Sequence, residues 1–276
     1  MTLPSRSSSG TVLRPALRHL PRDSAFVQRR IGQFQQHLAA AFDRCAPPRS
    51  AEPRLALDRA ELERLTSFAA AGDHLSLSAA VNQKRRLGQS HQQICLVVLT
   101  AVARRLGEWW DEDRCGFVEV TLGMLVLHQL LRELGPGLRR GRIDHPGRIA
   151  LMLPLPGDQH SFGIAMVAEF FRAAGWQVSQ DGGRGLRGLL RRVGEKWFGL
   201  VALSCSVKAR LAELPQTIAA IRAHALNPHI AIMVGGPALA GNPALAASCG
   251  ADATATDAAE ALQRAERLVA LMPLEP

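Results

Sequence analysis

The 276-residue sequence contains no tyrosine, only three lysines (Lys84, Lys196 and Lys208) among 33 basic residues, and just 5% aromatic residues. It has no apolar run long enough to span a bilayer, and its first residues lack the charged and apolar regions of a secretory signal. A membrane protein is therefore not expected. The five cysteines, Cys45, Cys95, Cys115, Cys205 and Cys249, are scattered, odd in number and free of any CxxC spacing. That pattern argues against a disulfide framework or a zinc site and fits a reducing cytoplasm. Residues 1–23 are rich in Ser, Arg and Pro and read as a disordered basic tail, too short to hold a helix-turn-helix.

What is present bounds the fold. Apolar residues make up 47% of the chain, enough for cores in both halves. The formal net charge of +9 favours acidic partners and allows contact with DNA through the basic surface, tail arginines Arg6, Arg14, Arg18 and Arg22 included. Residues 24–138 carry helical periodicity. Phe26, Ile31, Phe34 and Leu38 recur at helical spacing, as do Ala56, Leu62, Leu65 and Phe68, and further segments lie at 75–87, 92–110 and 117–134. Four or five amphipathic helices joined by short links predict a bundle. Gly135-Pro136-Gly137 is expected to stop its last helix, and residues 139–147 read as a basic linker.

From residue 148 to 276 the rhythm changes. Short apolar runs at 149–153, 177–180, 200–204, 230–234 and 253–256 alternate with helical stretches. The fold class is therefore α/β: a helical bundle followed by a five-stranded, doubly wound parallel sheet of flavodoxin-like size. Ligands of such sheets bind beyond the carboxyl ends of the strands.

Three loops at that edge carry candidate chemistry. The first holds Asp158, Gln159, His160, Ser161 and Gly163 in a D-x-H-x-x-G arrangement. A neutral imidazole nitrogen is a good ligand for cobalt, and a carboxylate two residues earlier can orient it. Glycine lets the backbone approach a large planar ring. The loop after the third strand gives Ser204-Cys205-Ser206, and the loop after the fourth gives Gly235-Gly236-Pro237. Their small side chains predict a slot that a buried nucleotide tail can fill.

This order of motifs resembles the cobalamin-binding domain of methionine synthase, corrinoid methyltransferase proteins and cobalamin-dependent photoreceptors. The resemblance implies that His160 ligates cobalt from below, with Asp158 as its orienting partner and Gly163 at a close approach. It places Ser204, Ser206, Gly235 and Gly236 on the nucleotide tail. Ser206 departs from the family, which usually has leucine there. In the bundle, Trp109 is followed after nine residues by Glu119-Val120, which resembles the Trp-x9-Glu-His signature of photoreceptor caps, with Val120 replacing the histidine. His128 is rotated away on the same helix and is a poor substitute; His145 is freer to make a second cobalt contact, but its place in the basic linker reads first as that of a solvated histidine.

The implied cofactor is cobalamin in its hydroxo- or adenosyl- form. Two functions compete: a corrinoid carrier of methyl groups working with a methyltransferase, and a cobalamin-dependent sensor that is not itself an enzyme. The absence of a catalytic base or nucleophile from the motifs favours sensing. The basic tail, the bundle with Trp109 but no histidine at 120, and the terminal cobalamin domain together resemble the AerR/PpaA regulators. Those regulators imply an antirepressor that responds to light, binds a transcription repressor and controls photosystem genes.

Overall fold

Helix starts in the first half are set by short polar side chains. Asp58 accepts the Glu61 N–H at 2.7 Å and opens α1 (Arg59–Ala70). Asp73 does the same for α2 (His74–Arg86) through the Ser76 N–H. Ser90 and Gln93 close a reciprocal capping box at α3 (His91–Gln93). From there the backbone runs without a break through a π-helical segment, Ile94–Leu99, into α4 (Thr100–Asp111). The Thr100 hydroxyl donates to the Cys95 carbonyl five residues back and also meets the Met166 sulfur at 3.5 Å. The widened turn thus sits where this rod faces the second half of the chain. Periodicity alone gives no sign of it.

The helix α5 (Phe117–Leu138) corrects the expectation that Gly135-Pro136-Gly137 ends it, because it runs through all three. The reason is close packing. A Cβ on Gly135 would lie 2.6 Å from the Glu169 carboxylate, and one on Gly137 would strike the His91 ring. The glycines let the last turn approach its neighbours, and Pro136 forfeits one hydrogen bond near the helix end, where the loss is small.

The computed structural model describes residues 56–138, 147–240 and 243–271. The basic tail, the segment around Phe26–Leu38 and His145 lie outside the described residues. Ala51–Pro276 forms a single unit. Among the described residues, no helix is long and apolar enough to cross a membrane.

The second half forms one sheet: β1 (Ile149–Pro154), β2 (Gln177–Ser179), β3 (Leu200–Ser204), β4 (Ala231–Gly235) and β5 (Ala253–Ala255). All pairings are parallel and the spatial order is β2-β1-β3-β4-β5, the flavodoxin-like order expected. Its helices are α6 (Phe162–Ala173), α7 (Gly185–Glu195), α8 (Leu214–His224), α9 (Pro243–Ser248) and α10 (Ala258–Ala270). The helical stretch between β3 and β4 divides into a 3₁₀ segment, Lys208–Glu213, and α8, whose first turn accommodates Pro215.

Two cores flank the sheet. On one side Leu189, Val193, Ile218 and Ile221 of α7 and α8 pack on Val201, Leu203, Ile232 and Val234. On the other, Phe162, Met166 and Phe170 of α6 and Ala258 of α10 share a core with bundle residues such as Leu65, Leu77, Val98, Leu127 and Leu131. Each fully buried leucine there contributes roughly 2 kcal/mol of transfer free energy. The bundle and α6 are therefore joined by a continuous apolar interior.

Candidate functional site

The register brings the ends of the three central strands level. Pro154 pairs with Ser204, and Ser204 with Gly235. The loops after β1, β3 and β4 accordingly leave from one line. In this strand order the chain reverses direction between β1 and β3, the crevice where ligands of open α/β sheets sit.

The loop after β1 begins with a tight turn, in which the Asp158 N–H donates to the Leu155 carbonyl at 2.7 Å and Gly157 adopts φ +91°. Arg210, from the 3₁₀ segment after β3, donates to the Pro156 carbonyl and is itself held by Glu213. The turn presents Asp158, whose side chain is only 1% exposed, and His160, whose side chain is 70% exposed. One carboxylate oxygen of Asp158 accepts the His160 N–H at 3.0 Å and meets His160 Nδ1 at 2.8 Å. The other accepts the Ser206 N–H at 2.8 Å.

Burial pushes the Asp158 carboxyl up, but the His160 and Ser206 N–H groups, the imidazole contact and its charge outweigh it. The carboxyl is held below its usual range. An ionised carboxylate only accepts, so in the neutral ring Nδ1 carries the proton and Nε2 keeps its lone pair. The site is an aimed, exposed imidazole with one nitrogen free for a metal.

The other expected residues fall around it. Gln159 and Ser161 are exposed, and Ser161 precedes α6 without capping it through its side chain. Gly163 lies in the first turn of α6 rather than in the loop, and a Cβ there would meet nothing within 4 Å. That open space, beside an exposed imidazole, suits a broad flat ligand. Ser204 is buried as the last residue of β3, and Gly235 likewise ends β4. Gly236 has φ +104°, and a Cβ on it would lie 2.5 Å from the Cys205 carbonyl. Its glycine is required by the neighbouring backbone, whatever else the loop contacts.

Sequence reasoning missed two members of the site. The Ser206 N–H locks the first loop to the third, and Arg210 braces the turn from behind. A backbone donor carries no residue signature, and Arg210 is 54 residues from the carbonyl it holds.

In the bundle, Trp109 is buried with Ala70 and Leu106, and Val120 packs beside it with Cys115 and Met124. Valine at 120 thus serves an apolar cluster. The Trp109 indole N–H donates to Glu63 at 3.1 Å, and the Arg114 guanidinium lies 4.5 Å over the ring. Glu63 also pairs with Arg105 and Arg114. Glu119 accepts the Gly116 N–H at the start of α5. His128 is half-buried with its ring edge-on to Phe162 at 5.2 Å, two residues beyond His160 in sequence. Burial, with Arg132 nearby, lowers its pKa and favours the neutral ring that packs there.

The Glu63 cluster makes an acid-side prediction. Burial pushes the Glu63 carboxyl up, but hydrogen bonds from Arg114 and Arg105 and their charges hold it below the usual range. A depressed carboxyl contributes stability fully above its unfolded pKa and loses it as pH falls through the folded value. Trp109 emission is therefore expected to hold steady from pH 7 to about 5 and to change only below about 4. Glu63→Gln should remove that transition, and its persistence would assign it to another group.

Residues 148–264 match the B12 binding domain family. That match, to a domain that binds cobalamin, takes in the whole sheet from β1 to β5. The family covers Asp158, His160, Ser204 and Gly235 but stops short of the bundle, which is identified by its geometry alone. Part of the chain is also similar to an "uncharacterized 20.5 kDa protein in bchF-crtJ intergenic region" of Rhodobacter capsulatus. The identity is 27% over 159 residues, covering 56% of this chain and 81% of the relative. In fold, the chain is similar to the monomethylamine corrinoid protein of Methanosarcina barkeri. That likeness has a TM-score of 0.62 at 18% identity and covers 74% of this chain and 96% of the other.

Proposed function

We propose that His160 takes the cobalt of a bound cobalamin through Nε2, with Asp158 as its orienting partner, and that the chain uses this site to sense rather than to transfer. Ser204, Ser206, Gly235 and Gly236 lie on the side of the crevice that receives the nucleotide tail. Cobalamin bound in its adenosyl form would supply a cobalt–carbon bond that light breaks. The protein's part is to hold the cofactor by a fixed imidazole and to convert a change above it into repacking of the bundle.

The observation that carries this reading is the shared core. Phe162 and Met166, immediately after the ligand loop, pack with Leu127, Leu131 and Val98 of the bundle, and His128 lies against Phe162. A shift in α5 or in the π-helical segment therefore reaches the base of the His160 loop through side chains in contact. In this reading Trp109 and Glu119 act as part of the bundle frame: Trp109 locks α4 to α1 through Glu63, and Glu119 fixes the start of α5. The output is regulation of an AerR/PpaA kind, an antirepressor contact with a transcription repressor that controls photosystem genes. The relative from the bchF-crtJ intergenic region accords with that assignment.

The test is to purify the chain with cobalamin in the dark, illuminate it, and follow the spectrum and repressor binding together. Light is expected to change both. Phe162→Ala should keep the spectral change while repressor binding no longer follows it. Sustained methyl transfer from methylcobalamin to a thiol, with no light-dependent binding, would overturn sensing in favour of a methyl carrier.

A further inference from the structure

The helix α7 (Gly185–Glu195) lies on the side of the sheet opposite the bundle. It buries Leu189 and Val193 against β-strand residues and α8. At about 100° per residue, Arg187 and Arg191 fall on the opposite side of the helix from those two, and Arg184, just before its first turn, continues their line. All three are exposed. They span seven residues, about 10 Å along the axis.

The row is without carboxylate partners, as are Arg59, Arg64 and Arg104 elsewhere on the surface, but here three such groups stand in one line. Arg105, Arg114, Arg148, Arg172, Arg210 and Arg222 are each paired with a carboxylate. Among the described residues, no ion pair or hydrogen bond holds the side chain of Arg184, Arg187 or Arg191. The one acidic residue of α7, Glu195, lies a turn beyond Arg191 with no ion pair between them, and Asp181 is engaged by the Gly183 N–H. Like charges one turn apart destabilise a helix. Among the described residues no carboxylate is paired with the row, which leaves its three guanidinium groups open to a partner outside the fold.

We propose that Arg184, Arg187 and Arg191 form a contact surface for the phosphate backbone of duplex DNA. Duplex DNA presents one negative charge per about 1.7 Å of axis, so a straight 10 Å row of guanidinium groups faces several phosphates at once. Single-stranded nucleic acid is gripped by aromatic side chains between basic ones, and α7 has no aromatic residue. A protein partner is anchored by aromatic and apolar groups at a dry centre, which this face also lacks. The contact is sequence-independent, because phosphates position a protein without reading bases.

This surface is remote in role from the cofactor loop, and the proposal stands whether the chain senses or carries. The test uses the full chain loaded with hydroxocobalamin in the dark. Its binding to a labelled duplex of mixed sequence is followed by fluorescence anisotropy from about 50 to 200 mM salt. The triple variant Arg184→Ala, Arg187→Ala, Arg191→Ala is expected to bind at least about tenfold more weakly at low salt. The slope of log affinity against log salt should be reduced by about 2 to 3. Alanine favours helix at these exposed positions, so α7 is retained. Arg59→Ala with Arg64→Ala, on the bundle, should leave the slope unchanged. Absence of duplex binding, an unchanged slope in the triple variant, or an equal loss in the Arg59/Arg64 variant would overturn the proposal. So would binding of this face to an acidic protein but not to DNA.

Discussion

His160→Ala is expected to abolish hydroxocobalamin binding, or weaken it by at least about 100-fold, with loss of the imidazole-ligated spectrum. The expectation follows from the geometry of one side chain. His160 is exposed, its Nδ1 is committed to Asp158, and only Nε2 is left to bind. Asp158→Asn should have a smaller effect, about 10- to 100-fold, the usual range for a group that orients a ligand from behind. The carboxylate accepts on both oxygens, from His160 and from Ser206. An amide replaces one acceptor by a donor and must set an N–H against an N–H on one side. Spectral titration of both variants measures the difference. Tight binding by His160→Ala with an unchanged spectrum would remove His160 as the ligand.

Gly236→Ala is expected to destabilise the fold by about 3 kcal/mol, combining the strain of a positive φ with a backbone collision. For a unit of this size that corresponds to a fall of roughly 10 °C in Tm. The Cβ would lie 2.5 Å from the Cys205 carbonyl and 2.9 Å from its nitrogen, and neither can swing aside as a flexible side chain would. The Cys205 N–H donates to Gly235 and the Cys205 carbonyl accepts from Ala238, so relief would disturb the pairing of two loops. Gly163→Ala offers the contrast: its Cβ would meet nothing within 4 Å, so Tm should stay unchanged. A thermal melt of the two variants without cofactor checks both. Equal stability would mean that the β4 loop relaxes freely.

The alternation of short apolar runs with helical stretches was enough to read the sheet, because buried parallel strands have no other pattern available to them. The D-x-H-x-x-G loop was legible for a similar reason: the carboxylate and the imidazole it holds are two residues apart. Where the sequence misled, the deciding contact came from far along the chain. Gly135-Pro136-Gly137 has the composition of a helix stop, yet Glu169 and His91 press against those glycines and the helix continues. The Gly235-Gly236 pair reads as a small-residue loop, but the close approach of Cys205 backbone that demands glycine at 236 comes from another strand's loop. Trp109 matches a cap signature, but its partner Glu63 lies 46 residues earlier, and no local pattern announces it.

Asp158 and Ser206 are 48 residues apart, and that separation sets an order of events in a growing chain. At about 10 residues per second, the imidazole leaves the ribosome roughly five seconds before the amide that aims its carboxylate. Until β3 has docked beside β1, the histidine is attached to an unanchored turn. On the proposed reading, cofactor loading follows sheet assembly, and a chain arrested before residue 206 would carry His160 without the amide that helps to aim it.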